Sequence, residues 1–234
     1  ITDAGLSLLD DLKPVLQELD EVVERNSERP GAVVLKLSVQ PFFASELLVP
    51  RLSEFVSRNA DISITVDTVD GEADRHDKGA DVSIRLFSSA PDDLVSDRLF
   101  SLRLIPVGSP EFYDSINVVA GRIDSDFPIL VHDSRPKAWQ RWQRSSGIRL
   151  PRHPKVIRLN SMVSVARAAE QGLGAALMPA QLCSAWLESG SLVQLFDQEL
   201  ESDEAYYLIC SDDDPNNSNV KTFREWVLQE FTFD

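Results

Sequence analysis

Residues 32–69 read AVVLKLSVQPFFASELLVPRLSEFVSRNADISITVDTV. Three patterns follow one another in that stretch. Val33, Leu35, Leu37 and Val39 alternate with other residues, the period of a strand whose side chains point to opposite faces. Pro41 breaks the alternation. Leu47, Leu48, Leu52, Phe55 and Val56 then recur at spacings of one, three and four, which predicts an amphipathic helix over 44–58. Ile62, Ile64 and Val66 restore period two and predict a second strand over 62–69. A strand, a helix and a strand in this order pair their strands in parallel, because the helix carries the chain back to the starting edge.

The same alternation continues downstream. Residues 81–86 read as a short buried strand and 94–107 as one or two strands. A second unit follows: a strand at 129–131, a helix at 137–145 closed by Gly147, a strand at 156–159, and a helix at 162–171 closed by Gly172. Residues 175–178 read as a strand, 179–189 as a helix with Pro179 in its first turn, and 192–196 and 205–211 as the last strands. A polar turn at 212–219 precedes a final helix at 220–231. The fold class is α/β with a mainly parallel sheet, in two lobes. Ligands in such folds sit where loops of two lobes meet, near strand ends and helix N-termini.

Upstream of these lobes, Thr2 or Asp3 can cap a helix. Leu8, Leu12, Val15, Leu19 and Val23 form one narrow apolar stripe along it, with charged residues on the other faces. A stripe this narrow suits a coiled-coil seam, so these five residues are candidates for dimerisation. A helix packed on its own domain is the alternative. Pro14 predicts a kink, and the polar run 24–29 followed by Pro30-Gly31 reads as a linker.

Composition narrows the function. The 234 residues carry a net charge of −15, which counts against this segment gripping nucleic-acid phosphates. The basic run 141–152 is interrupted by apolar residues and reads as a solvated face. There is no run of 18 apolar residues to span a membrane, and residues 1–23 are charged throughout, unlike a signal peptide. Cys183 and Cys210 form no C-x-x-C pattern, which fits a reduced, cytoplasmic protein, although a bridge stays open. His76, His132 and His153 are scattered, and there is no phosphate loop or nucleophile elbow. The paired acids, such as Asp92-Asp93, read as solvated turns. The expectation is a protein that is not an enzyme and has no metal or cofactor.

Several short motifs then occur in order. Ile1-Thr2-Asp3-Ala4-Gly5 resembles the start of the linker helix of LysR-type transcriptional regulators. The stretch 35–55, LKLSVQPFFASELLVPRLSEF, resembles the first strand and helix of their sensor domain, and Asp81-Val82-Ser83-Ile84-Arg85 a later strand end. Leu104-Ile105-Pro106-Val107-Gly108-Ser109-Pro110 resembles the first crossover between lobes. Leu130-Val131-His132-Asp133-Ser134-Arg135-Pro136 with Trp139-Gln140-Arg141-Trp142 is close to a signature of regulators resembling the glycine-cleavage activator. Asn160-Ser161 and the run from Gly172 to Pro179 match a helix, glycine turn and strand of the family. The resemblance covers nearly the whole chain.

It implies a two-lobed fold like the type 2 periplasmic binding proteins, with two crossover strands. The linker helix would be 1–30, lobe I 31–107 with 208–234, and lobe II 108–207. The winged helix-turn-helix of such regulators would lie outside this chain, which would reach DNA only through it. Relatives form dimers through the linker helix and antiparallel sensor contacts, and often tetramers.

A small effector, anionic where it meets a helix N-terminus, would bind between the lobes. Gln40, Phe42, Phe43 and Ser45 lie at the start of the first helix. Many relatives hold a small hydroxyl residue where this chain has Phe42, which implies a smaller or more apolar pocket here; core packing is the favoured role of Phe43. Arg85 can clamp a carboxylate or form a structural ion pair. His132 can contact a ligand or sit in the core. Asn160 and Ser161 precede a helix, so Ser161 can cap it or touch the effector. Tyr206 can face the cleft while Tyr207 points away, and Trp139 and Trp142 read as packing. A transport solute-binding protein is the rival on the same fold; it would be monomeric and would not need the opening helix.

Overall fold

The computed structural model describes residues 33–69, 79–90, 94–210 and 218–233. The opening helix expected over 1–30, with Leu8, Leu12, Val15, Leu19 and Val23, lies outside them. Strand β1 (Val33–Val39) buries Leu35, Leu37 and Val39 on one face, as their alternation predicts. Helix α1 follows without a break as a first turn (Pro41–Phe43), a π-helical turn (Ala44–Leu48) and an α-helical run (Val49–Arg58). Pro50 has no N–H to return to the carbonyl four residues back, and the wider register falls directly before it. That turn shifts the buried face. Leu47, Leu48 and Phe55 are buried as expected, but Val56 is 42% exposed.

β2 (Ile62–Thr68) and β3 (Val82–Phe87) both pair with β1 in parallel. The expectation of a mainly parallel sheet fails beyond them. β4 (Val95–Gly108) is one strand of 14 residues, and β11 (Leu200–Cys210) runs antiparallel to both β3 and β4. β4 also pairs antiparallel with β9 (Ala176–Pro179) and β10 (Val193–Gln194). The seven strands therefore form one mixed sheet. The reason is topological. β4 carries the chain from the first α/β lobe into the second, and β11 brings it back beside β4 in the opposite direction. The register of β11 against β4 shifts between Glu201 and Ala205, where the returning strand changes lobes.

The second lobe contains helix α2 (Pro110–Asp114), a hairpin of β5 (Val118–Val119) and β6 (Arg122–Ile123), β7 (Ile129–His132), helix α3 (Ala138–Ser146), β8 (Val156–Leu159) and helix α4 (Met162–Glu170). β7 and β8 are parallel. Pro179 ends β9 and does not open a helix. The expected helix over 179–189 is a 3-10 turn (Gln181–Cys183) and a short helix α5 (Ser184–Glu188). A proline at a strand end loses no ladder hydrogen bond, so the strand can claim it. Helix α6 (Ser218–Phe231) returns to the first lobe, burying Phe223, Trp226, Val227 and Phe231. Rings of Phe223 and Trp226 lie 5.2 and 5.1 Å from Phe55 of α1. No helix among the described residues is long and apolar enough to cross a membrane.

Gly174 lies between α4 and β9 and packs against Pro128, the residue before β7. Its φ is +155°, and a Cβ there would lie 2.5 Å from the carbonyl oxygen of Pro128. The approach is close because Ala175 N–H donates to Pro128 O, and Leu130 N–H donates to Ala175 O, both at 2.8 Å. Gly174→Ala is expected to lower the unfolding free energy by about 1–3 kcal/mol, the range for forcing an extra methyl into packed backbone. An unchanged urea midpoint would show that this junction yields without cost.

Candidate functional site

A cavity of about 100 Å³ lies between the lobes. Its walls come from the ends of strands and the starts of helices. Gln40, Pro41 and Phe42 contribute from the turn between β1 and α1. His132, Ser134 and Arg135 contribute from the loop after β7, and Ser161, Met162 and Val163 from the start of α4. Leu102 and Leu104 of β4, Leu177 of β9 and Tyr206 of β11 close the floor. Two helix N-termini thus converge on one space. The N–H groups of the first turn of α4, and those of Phe42 and Phe43 after Pro41, which has none, lack an intrahelical partner, and the helix dipoles favour negative charge.

Ser161 occupies the N-cap position of α4 in extended backbone, yet its side chain makes no capping hydrogen bond. Ser161 is part of the cavity lining. At His132, the Ser134 N–H donates to Nδ1 at 3.3 Å, and Ser134 Oγ lies 2.7 Å from the same nitrogen. Arg135 pairs with Glu204 of β11, and Ser202 Oγ donates to the same carboxylate at 3.1 Å. Trp139 is buried and donates from Nε1 to Leu130 O at 3.0 Å while its ring lines the cavity. Tyr206 is 4% exposed, and burial raises its phenol well above the usual value, so it stays protonated.

Of the residues singled out in the sequence, Gln40, Phe42, His132, Ser161 and Tyr206 meet at this cavity. Phe42 stacks on Trp186 at 5.9 Å and is part of the cavity lining. Four others stand elsewhere. Phe43 is in the core among Phe100, Tyr206 and Phe231. Ser45 is exposed and donates to Phe42 O at 3.3 Å. Asn160 is exposed and outside the lining. Arg85 is 4% exposed and donates to Ser38 Oγ at 2.6 Å and Ile84 O at 3.2 Å, tying β3 to β1 behind the cavity. Its strand alternation turns it from the cleft, just as Tyr207 turns from it toward Phe87 while Tyr206 faces in.

Sequence reasoning missed Ser134, Arg135 and Met162. Arg135 had a usable signal: it is a cation in the short loop between β7 and α3, within the quoted 130–136 motif. Trp139 packs, as read, and lines the cavity as well.

Among the described residues no group of three or more His, Cys, Asp or Glu is placed to hold a metal. Cys183 and Cys210 are free. Burial pushes their thiols up to about 12 and about 11, so neither is a thiolate near neutral pH.

Comparison with known proteins fits this architecture. The profile described as "LysR substrate binding domain" matches residues 30–232. The glycine cleavage system transcriptional activator of Escherichia coli K12 is 29% identical over 228 residues, covering 97% of this chain and 75% of that protein. The HTH-type transcriptional activator AmpR of Citrobacter freundii is 26% identical over 229 residues, covering 97% and 77%. The solved AmpR effector binding domain from Citrobacter freundii superposes with a TM-score of 0.71 at 26% identity, over 84% of this chain and 96% of that one. The full-length Vibrio cholerae activator AphB shares the fold, with a TM-score of 0.63 at 21% identity over 99% of this chain and 80% of that one.

Proposed function

Since this chain belongs to the LysR substrate-binding-domain family, we propose that its interlobe cavity binds a small anionic effector and relays that binding to a DNA-binding domain. The observation that carries the reading is the convergence of two helix N-termini, with Ser161 at the start of one, on one space walled by both lobes. An acidic group on the ligand meets the unpaired N–H groups of α4 and α1. Ser161 adds a hydroxyl, while Phe42, Leu104, Leu177 and Trp139 enclose the apolar part. His132 and Gln40 supply polar contacts, and Arg135 supplies a positive charge already shared with Glu204.

Lobe I comprises 31–107 with 208–234, lobe II 108–207, and residues 1–30 form the dimerising linker. A ligand touching both lobes favours one angle between them, and it shifts the regulator only by its difference in affinity for the two arrangements. The protein works in the cytoplasm as a homodimer or tetramer and catalyses no reaction. Regulators among the relatives favour this over a transport solute-binding protein.

The test is thermal-shift screening of the chain against amino acids, small carboxylates and cell-wall peptides, followed by calorimetry on any hit. Ser161→Ala is expected to weaken a true effector roughly three- to tenfold, the loss of one neutral hydrogen bond. A ligand bound equally well by Ser161→Ala and by Phe42→Ala would bind elsewhere and refute the site.

A further inference from the structure

Nine of the chain's 23 Lys and Arg fall between residues 134 and 169, a stretch without one Asp or Glu in a protein of net charge −15. Three of them meet in a recess. Arg135, Lys137 and Arg141 line a space of about 270 Å³ together with Ser134 and Ser202. Lys137 is the N-cap residue of α3, and Arg141 stands four residues on, so both project from one helix face. The opposite face carries the buried Trp139 and Trp142. The positive end of the α3 dipole opens at the same place.

Leu104, Leu200 and Pro136 complete the wall, and an apolar wall behind clustered charge strengthens its field. The recess shares Leu104, Ser134, Arg135 and Ala138 with the interlobe cavity, but Lys137 and Arg141 line only the recess.

We propose that this recess is a second ligand site, for a compact polyanion bearing two or more phosphate or carboxylate groups. The guanidinium forks of Arg135 and Arg141 and the ammonium of Lys137 bind the charges, and Ser134 and Ser202 donate to remaining oxygens. Arg135 is the switch between the two spaces. It pairs with Glu204, which also accepts from Ser202. An anion in the recess competes with Glu204 for Arg135 and for the Ser202 hydroxyl, and the side chain that responds is one wall of the interlobe cavity. The coupling to effector affinity rests on the reading of that cavity as the effector site. The anion site itself does not.

Calorimetry on the 234-residue chain at low ionic strength, with pyrophosphate and separately with citrate, tests the site. Saturable binding of one anion per chain is expected. The double variant Lys137→Gln/Arg141→Gln should weaken it roughly tenfold or more, since two charged contacts are lost. It should melt at the wild-type temperature, because both side chains are exposed. Arg149→Gln/Arg152→Gln removes equal charge outside the recess and should leave binding intact.

Binding of pyrophosphate alone identifies a phosphorylated ligand, of citrate alone a polycarboxylate, and of both a site that reads charge and size. The proposal is overturned if neither probe saturates, if only a DNA duplex binds, if the Lys137/Arg141 variant binds as wild type, or if the control variant weakens binding equally. Neither recess-specific residue touches the interlobe cavity, so these failures leave the effector reading standing.

Discussion

Phe43→Ala lowers the unfolding free energy by about 3–5 kcal/mol, the range for truncating a buried aromatic ring. Phe43 is fully buried at the start of α1. Its ring stacks near Phe100 at 6.2 Å, tilts against Tyr206 at 5.2 Å and meets Phe231 edge-on at 5.5 Å. Those partners belong to β4, β11 and α6. One side chain therefore joins the helix next to the cavity, both crossover strands and the C-terminal helix. Truncation leaves a cavity that none of these elements can fill without moving, because each is also held by its own sheet or helix contacts. Urea denaturation followed by tryptophan fluorescence measures the loss. A change under 1 kcal/mol would mean that the aromatic cluster rearranges freely. Effector affinity offers a second reading: Phe43→Leu keeps most of the volume and should leave binding nearly unchanged, because Phe43 itself does not line the cavity.

The contrast between Phe42 and Phe43 shows what was legible in the sequence. Periodicity located β1, α1 and β2, and with them the turn at Gln40 that opens the cavity. Periodicity alone could not say which of two adjacent rings faces the space, since that depends on the π-helical turn before Pro50 and on the partners brought up by β11 and α6; core packing for Phe43 is favoured beside the family resemblance. The parallel units were readable because helix and strand periods are local. The antiparallel crossovers were not readable from periodicity, because the pairing of β11 with β4 joins residues about a hundred positions apart; only the family resemblance implied them. Arg85 makes the same point about function. An arginine at a strand end reads equally as a clamp for a carboxylate and as a structural ion pair, and its guanidinium donates to Ser38 Oγ and Ile84 O, outside the cavity lining. Ser161 reads equally as a cap or a ligand contact; it stands at the N-cap position of α4 and its side chain makes no capping bond. Arg135 was passed over because charge in a loop usually means solvent; only the fold sets it beside Glu204 and two cavities.

Trp142→Ala is expected to cost a similar amount in the other lobe, about 3–5 kcal/mol, for two separable reasons. The ring is fully buried, edge-on to Trp139 at 5.5 Å and against Phe196 at 5.4 Å. Its Nε1 also donates to the Gln198 carbonyl at 2.7 Å. Gln198 lies two residues before β11, so this bond ties α3 to the root of the returning crossover strand. Trp142→Phe keeps most of the packing and removes the donor, and should cost about 0.5–1.5 kcal/mol, the net worth of one hydrogen bond to a carbonyl that water can reach, since Gln198 is exposed. If phenylalanine is neutral, packing alone holds the ring. If it is as damaging as alanine, the bond to Gln198 is what matters, and α3 should then loosen from the crossover and weaken effector and anion binding together. The Phe43→Ala/Trp142→Ala double variant decides how far the lobes act as one body. The two sites share no contacts, so in a single cooperative transition their costs add to within about 0.5 kcal/mol. Two separate transitions would instead show that the crossover strands let each lobe melt alone, which is the mechanical independence that an angle change between lobes requires.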